Sequence, residues 1–146
     1  MHLGNLFLKS VAEIGLALPE HTIEETTRWI LTISAKTDDV GDLTIADDGN
    51  ELTVDVGERY HRHFDADSAH GENAKQRRAS AAKHAALYVN DVLNDLVTFY
   101  VVLDGDRILQ ATSSWKTGRE AINSLLRTKK RKLIFRWSGL ISENGG

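Results

Sequence analysis

Asp42-Leu43-Thr44-Ile45-Ala46-Asp47-Asp48-Gly49-Asn50-Glu51-Leu52-Thr53-Val54-Asp55-Val56 reads as a β-hairpin. Its arms, Asp42–Ala46 and Glu51–Val56, flank Asp47-Asp48-Gly49-Asn50, a tetrapeptide of residues that favour tight turns. In the second arm Leu52, Val54 and Val56 alternate with Thr53 and Asp55. Successive strand side chains point to opposite faces, so the arm has one apolar and one polar side. Hairpins pair antiparallel, which sets the expectation for the sheet as a whole.

Downstream, Thr98–Leu103 and Arg107–Ser113 flank Asp104-Gly105-Asp106 and form a second hairpin by the same logic. Upstream, Thr27–Ala35 (TRWILTISA) is rich in β-branched and aromatic residues and reads as a strand. The competing reading of residues 23–35 is a helix opened at Thr22 with Glu25 as its capping-box partner. The strand that begins at Glu51 is expected to continue to Phe64 with a bulge at Gly57.

Helical spacing marks three further segments. Leu3, Phe7, Val11, Ile14 and Leu18 recur every three or four residues, and Pro19 is expected to end that helix. From about Asn73 to Val97, Ala82, Ala85, Ala86, Val89, Val92, Leu93 and Leu96 form an apolar stripe, with Lys83, His84, Tyr88, Asp91 and Asp95 off it. Thr117 with Glu120 is a capping box for a short helix to about Thr128, with Ala121, Ile122, Leu125 and Leu126 inward. Lys132–Trp137 is the last strand. The order is α-β-β-β-α-β-β-α-β, an α+β fold with a mainly antiparallel sheet and helices packed on it. Residues 1–142 are expected to form one domain, and 143–146 a frayed tail.

The chain has 146 residues and no cysteine, so disulfides, thiolate metal sites and cysteine nucleophiles are excluded. Cysteine-free composition fits the reducing cytoplasm, the expected location. The apolar run Leu3–Leu18 is interrupted by Lys9 and Glu13 and has neither the flanks of a signal peptide nor the length of a membrane span, so no membrane partner is expected. The net charge is only −3, but it is unevenly distributed. From Asp38 to Glu58 every charged residue is acidic: Asp38, Asp39, Asp42, Asp47, Asp48, Glu51, Asp55 and Glu58. From Lys116 to Arg136 Glu120 alone interrupts a basic series. Such polarity steers partners of opposite sign.

Three places carry candidate chemistry. In Gly57-Glu58-Arg59-Tyr60-His61-Arg62-His63-Phe64-Asp65, the side chains of His61, His63 and Asp65 share one face of an extended chain, and His70 follows in a polar loop. Imidazoles with a carboxylate suit zinc or another divalent transition metal. The plain alternative is an exposed strand end whose histidines pair with acidic neighbours, or a pH-sensitive interface. The pattern is incomplete as a metallo-β-lactamase-like His-x-His-x-Asp-His, since Ala66 follows Asp65, and it lacks the second motif of a cupin. The run Lys129, Lys130, Arg131 and Lys132 could contact phosphates, but no nucleic-acid-binding motif accompanies it, and cations also complement a helix C-terminus. Trp115, between Ser114 and Lys116, is the tryptophan expected at an interface. Lys75-Gln76-Arg77-Arg78 opposes the dipole of the long helix. No Gly-x-Ser-x-Gly elbow, Walker loop or dinucleotide fingerprint is present.

Gly57, His61, His63 and Phe64, followed by the apolar run Val92–Val102, resemble a pattern found in small uncharacterised bacterial proteins similar in size to the immunity proteins of toxin systems. The resemblance covers residues 51 to 103, with Arg62 in place of a small residue. The element order also resembles that of type III secretion chaperones. Both resemblances imply protein binding. The leading expectation is therefore a non-enzymatic binding module without a cofactor. It would use Asp38, Asp39, Asp42, Asp47, Asp48, Glu51 and Trp115 against a basic toxin or secreted effector, and a homodimer is compatible with it. The alternatives are a metal-binding protein or metal-dependent enzyme using His61, His63, Asp65 and His70, and nucleic-acid binding through Lys129–Lys132.

Overall fold

Gly49 takes φ +97°, a conformation that side-chain-bearing residues rarely adopt, and so lets the first hairpin close. Around it the Asp47 carboxylate accepts the Gly49 N–H at 2.9 Å, and the Asp48 N–H donates to the Glu51 carbonyl at 2.9 Å. The computed structural model describes residues 1–144. Its elements are α1 (Leu3–Glu13), β1 (His21–Glu24), β2 (Ile30–Ile33), β3 (Leu43–Asp47), β4 (Glu51–Val56), β5 (Tyr60–Asp65), a 3₁₀ turn at Ala66–Ser68, α2 (Ala74–Leu93), β6 (Phe99–Asp104), β7 (Arg107–Ser113), α3 (Arg119–Arg127), β8 (Arg131–Arg136) and β9 (Gly139–Asn144).

The fold is α+β and every strand pairing is antiparallel, divided between two sheets ordered β1-β2-β3-β4-β5 and β7-β6-β8-β9. Contacts group the chain into two compact units. The first comprises Met1–Ala35 and Asp42–Asn90, and the second Lys36–Gly41 and the chain from Asp91 onward.

In the first unit, Leu31, Ile33, Leu43, Ile45, Leu52, Val54 and Val56 are at most 1% exposed. They line one face of the five-stranded sheet with the buried Tyr60 and Phe64. Fully burying a side chain of this size stabilises by about 1.5–3 kcal/mol. On α1 the residues Leu3, Phe7 and Val11 are buried, as their spacing requires, and the helix contacts β3 and β4. It ends earlier than Pro19. Gly15 takes φ +73°, its N–H donates to the Ala12 carbonyl, and the Leu16 N–H reaches back to the Val11 carbonyl. That paired closure stops the helix before the proline can.

Gly57 also takes positive φ, but it belongs to a turn and not to a bulge, so the strand expected to run from 51 to 64 is two paired strands. Along α2, Ala82, Ala85, Ala86, Val89 and Val92 are buried as expected. Tyr88, assigned to the polar side, is only 1% exposed, and its ring lies 5.9 Å from that of Phe64. Leu96 was assigned to the stripe but is 67% exposed and lies beyond the helix end. Asp95 takes φ +59°, and the Leu96 N–H donates to the Asp91 carbonyl. An aspartate here plays the left-handed role usual for glycine.

In the second unit, Phe99, Val101, Phe135 and Trp137 are buried about β6 and β8. The Ser138-Gly139 turn between β8 and β9 is held by Asp95, which accepts the Ser138 N–H at 3.0 Å, and by Asp39, which accepts the Leu140 N–H at 3.3 Å. α3 has Gly118 as its N-cap with no side-chain cap bond, so the expected Thr117 capping box is not formed. Only Leu125 of its expected inner face is buried, and Leu126 is exposed. Glu143 and Asn144, expected to fray, pair in β9 with Leu133 and Lys132. Gly145 and Gly146 lie outside the described residues.

In the first unit α1 lies close against the buried Trp29 at Gly4. A Cβ added to Gly4 would fall 2.4 Å from Trp29 Cδ2. Gly4→Ala is therefore expected to destabilise by about 1–3 kcal/mol, measured as a lower urea midpoint. Without that contact, the same change in a helix would stabilise by about 0.5–1 kcal/mol.

Candidate functional site

Strand pairing converts the His-x-His pattern into a surface. On β5, Tyr60, Arg62 and Phe64 turn to the core side, and His61, His63 and Asp65 to the other. The registers then build rows across the uncovered face. Thr22 pairs with Thr32, Thr32 with Thr44, Thr44 with Asp55, and Asp55 with His61. One polar row thus crosses all five strands. The next row runs Glu24, Ile30, Ala46, Thr53 and His63, and a third pairs Glu51 with Asp65.

The two imidazoles are neighbours, with ring centroids 5.3 Å apart. His63 Nδ1 lies 2.6 Å from Glu51 Oε1, and the Thr53 hydroxyl is within 3.3 Å of the same nitrogen. Asp65 turns its carboxylate to the chain that follows, accepting the Asp67 N–H at 2.9 Å and the Ser68 hydroxyl at 3.4 Å. His70 is exposed in the loop beyond. Among the described residues, no group of three or more His, Asp or Glu side chains is placed to hold a metal ion. A shallow cleft of about 180 Å³ at this end of the sheet is lined by His63, Asp65, Ser68 and His84.

The acidic residues separate into different roles. Asp47, expected on a binding surface, is 8% exposed. Its carboxylate accepts the Gly4 N–H at 2.9 Å as well as the Gly49 N–H, and serves the fold. Asp48, one residue on, faces outward and pairs with Arg28, accepting also from the Thr53 hydroxyl. Asp42 accepts the Ala35 N–H at 2.7 Å. Asp38 and Asp39 belong to the second unit, Asp38 exposed and Asp39 holding the Leu140 N–H. The sequence signal that separates Asp47 from Asp48 is the period of two, which puts Asp47 on the face of Leu43 and Ile45.

Trp115 is half-buried. Its indole N–H donates to Asp91 at 2.9 Å, and the Lys116 ammonium stands 4.4 Å from its ring centroid. In the basic run, Lys130 pairs with Asp104 and Arg131 with Glu143. Lys132 is buried and donates to the Thr128 and Lys130 carbonyls. Lys129 is exposed. Thus three of the four cations nominated for phosphate contact are held by their own fold. The cluster at the start of α2 has a structural use that sequence left open. The Arg78 guanidinium donates to the Gly49 carbonyl at 3.0 Å and to Asn50 Oδ1 at 3.2 Å, tying the hairpin turn to the helix.

No family model matches the chain, nor does any curated protein or solved structure. The likeness built on Gly57, His61, His63 and Phe64 therefore stands on those residues alone. Among the described residues, no helix is long and apolar enough to cross a membrane.

Two expected outcomes follow from these side chains. Asp47→Ala leaves two backbone N–H groups without their acceptor and should cost about 2–3 kcal/mol. Asp48→Ala, which removes an exposed pair, should cost less than about 1 kcal/mol. Urea midpoints of the two variants measure the difference.

On the inner side of β5 and α2, burial pushes the Tyr60 and Tyr88 phenols from 10.0 up to about 12, with Arg59 and Arg62 respectively pulling the other way. Below pH 10 both phenols are protonated in the folded and unfolded chain alike. Between pH 10 and about 12 only the unfolded chain releases these protons, so stability falls as pH rises through that window. The loss should be of the order of 2 kcal/mol per tyrosine. Urea melts across this range should show it, and Tyr60→Phe with Tyr88→Phe should flatten the slope.

Proposed function

We propose that the protein is a non-enzymatic protein-binding module of the cytoplasm, working in the manner of an immunity protein or a secretion chaperone. Its binding surface is the uncovered face of the five-stranded sheet, and its partner is a basic protein. The observation that carries this reading is the row Thr22–Thr32–Thr44–Asp55–His61, which presents hydrogen-bonding side chains on every strand. With the Asp55 of the row stand Glu24, Asp48, Glu51 and Asp65, against Arg28 and the two imidazoles. At neutral pH the face is acidic. Of the residues expected to meet a partner it keeps Asp48 and Glu51, and it adds Asp55, which stands in the row between Thr44 and His61.

Magnitudes limit the kind of complex. Strands lie roughly 4.8 Å apart, so five of them span about 20 Å, and six residues extend about 20 Å. A face of about 400 Å² is half of what one partner contributes to a standard interface. Acidic complementarity on so small a patch contributes more to encounter rate and selectivity than to affinity, and it weakens with salt.

The test is native mass spectrometry of the protein purified from its own host at low and high salt. A protein should co-purify with the wild type at low salt and dissociate as salt is raised. Thr44→Lys with Asp55→Lys, both on the polar side of the sheet, should weaken that complex by about 100-fold with the circular dichroism spectrum unchanged. Retention of the partner by this double variant, or absence of any bound protein at low salt, overturns the reading.

A further inference from the structure

Within the first unit, α1 and α2 enclose a groove of about 270 Å³ whose lining includes Lys9, Ser10 and Glu13 of α1 and Ser80 and Lys83 of α2. Ser10 is its informative member. It occupies a core-facing position, one turn after Phe7 and beside Val11, and is only 7% exposed. Its hydroxyl makes no hydrogen bond to another described residue. An unpaired hydroxyl at a buried helix position is unfavourable unless something outside the chain satisfies it. Nor is it sealed in, since Thr37 Oγ1 is the enclosed side-chain atom without a partner among the described residues. Ser10 lines the groove, and its hydroxyl is not among the enclosed atoms.

The rest of the lining has the same character. Lys9 and Lys83 approach from opposite helices, both exposed and neither in an ion pair with a described residue. Glu13 is close in sequence to Lys9 but not paired with it. Two lysines and two serines therefore line one small space, and neither lysine is in an ion pair with the one carboxylate there, that of Glu13. We propose that this groove binds a dianion of phosphate-monoester size, held by Lys9 and Lys83 through charge-assisted hydrogen bonds and by Ser10 and Ser80 through their hydroxyls. Glu13, the last residue of α1, stands at the same groove and opposes the anion. The site thus has an unusual signature: removing one charge strengthens binding, and removing either of two others weakens it.

The experiment is a titration of the ¹⁵N-labelled full chain with inorganic phosphate at constant ionic strength, followed by amide shifts. Saturable shifts are expected in Lys9–Glu13 and Ala79–Lys83. Lys9→Ala with Lys83→Ala should weaken binding at least about tenfold, and Glu13→Gln should tighten it about threefold. Lys75→Ala, an exposed lysine on α2 outside the groove, should change nothing. These substitutions are at exposed positions, so the fold persists in all of them. Shifts that rise linearly without saturating, equal affinity in the double lysine variant, or weaker binding in Glu13→Gln each overturn the proposal.

Discussion

The first unit depends on one buried carboxylate. Asp47 ends β3 on the core side of the sheet, and from there it satisfies two backbone donors that the fold would otherwise strand. One is the Gly4 N–H in the first turn of α1, the other the Gly49 N–H in the hairpin turn. Its own N–H donates to the Trp29 carbonyl at 2.9 Å, and His2 Nδ1 lies 3.4 Å from its carboxylate. A negative charge at a helix N-terminus is stabilised by the unpaired N–H groups and dipole there. This is why a carboxylate is tolerated at 8% exposure. The same contact explains Gly4: for α1 to reach Asp47, its first turn must lie against the Trp29 ring, where no Cβ fits. Phe7, one turn on, completes the seat with its ring 6.3 Å from that of Trp29.

The strand edges show a second constraint. An unpaired edge is a template for another chain, and each of the four here is blunted in its own way. β1 is four residues long, follows Pro19 and Glu20, and ends in Glu24. β5 turns Arg62 inward, its guanidinium 5.6 Å from the Tyr88 ring centroid. In β7 the register steps from Ile108 to Gln110 against consecutive residues of β6, leaving Leu109 as a bulge. In β9 it steps from Leu140 to Ser142, leaving Ile141 as another. Bulges bend a strand and interrupt its ladder, so edge-to-edge growth is disfavoured on both sheets. What the first sheet leaves open is its polar face, not its rim.

These features were unequally legible in the sequence. The hairpins at 47–50 and 104–106 were readable because turn chemistry is local: Gly49 and Gly105 take positive φ within two or three residues of the strands they join. Helix ends were misplaced wherever a residue other than the expected one acted first. Gly15 closed α1 before Pro19, and Asp95 closed α2 although only glycine and asparagine are usually sought there. β1 and β9 were missed because an exposed edge strand lacks apolar alternation, as in His21-Thr22-Ile23-Glu24, where every residue is exposed. The division into two sheets was invisible because the pairing of β6 with β8 joins residues separated by a hairpin and a helix. For the candidate site, period two correctly put His61, His63 and Asp65 on one face. It could not say which carboxylates were already engaged, since that depends on partners as distant as Gly4 and Leu140.

Charge separates with the units as well as along the chain. The first unit carries 13 acidic and 8 basic side chains, the second 8 and 10. In the second unit much of the basic charge is used at home, since Lys130, Arg131 and Lys132 are each bound to a carboxylate or to carbonyls. On the open face of the first sheet the opposite holds. The pairs Arg28–Asp48 and His63–Glu51 join partly exposed groups, and such pairs contribute little, about 0–1 kcal/mol. Asp55 sits in the row between Thr44 and His61, without the backbone donors that hold Asp47 and Asp42. A residue whose charge does little for its own fold is the kind that can be turned toward another molecule at small cost in stability. By that criterion the row through Asp55, and not the hairpin turn through Asp47, holds the acidic charge that the first unit uses least for its own fold.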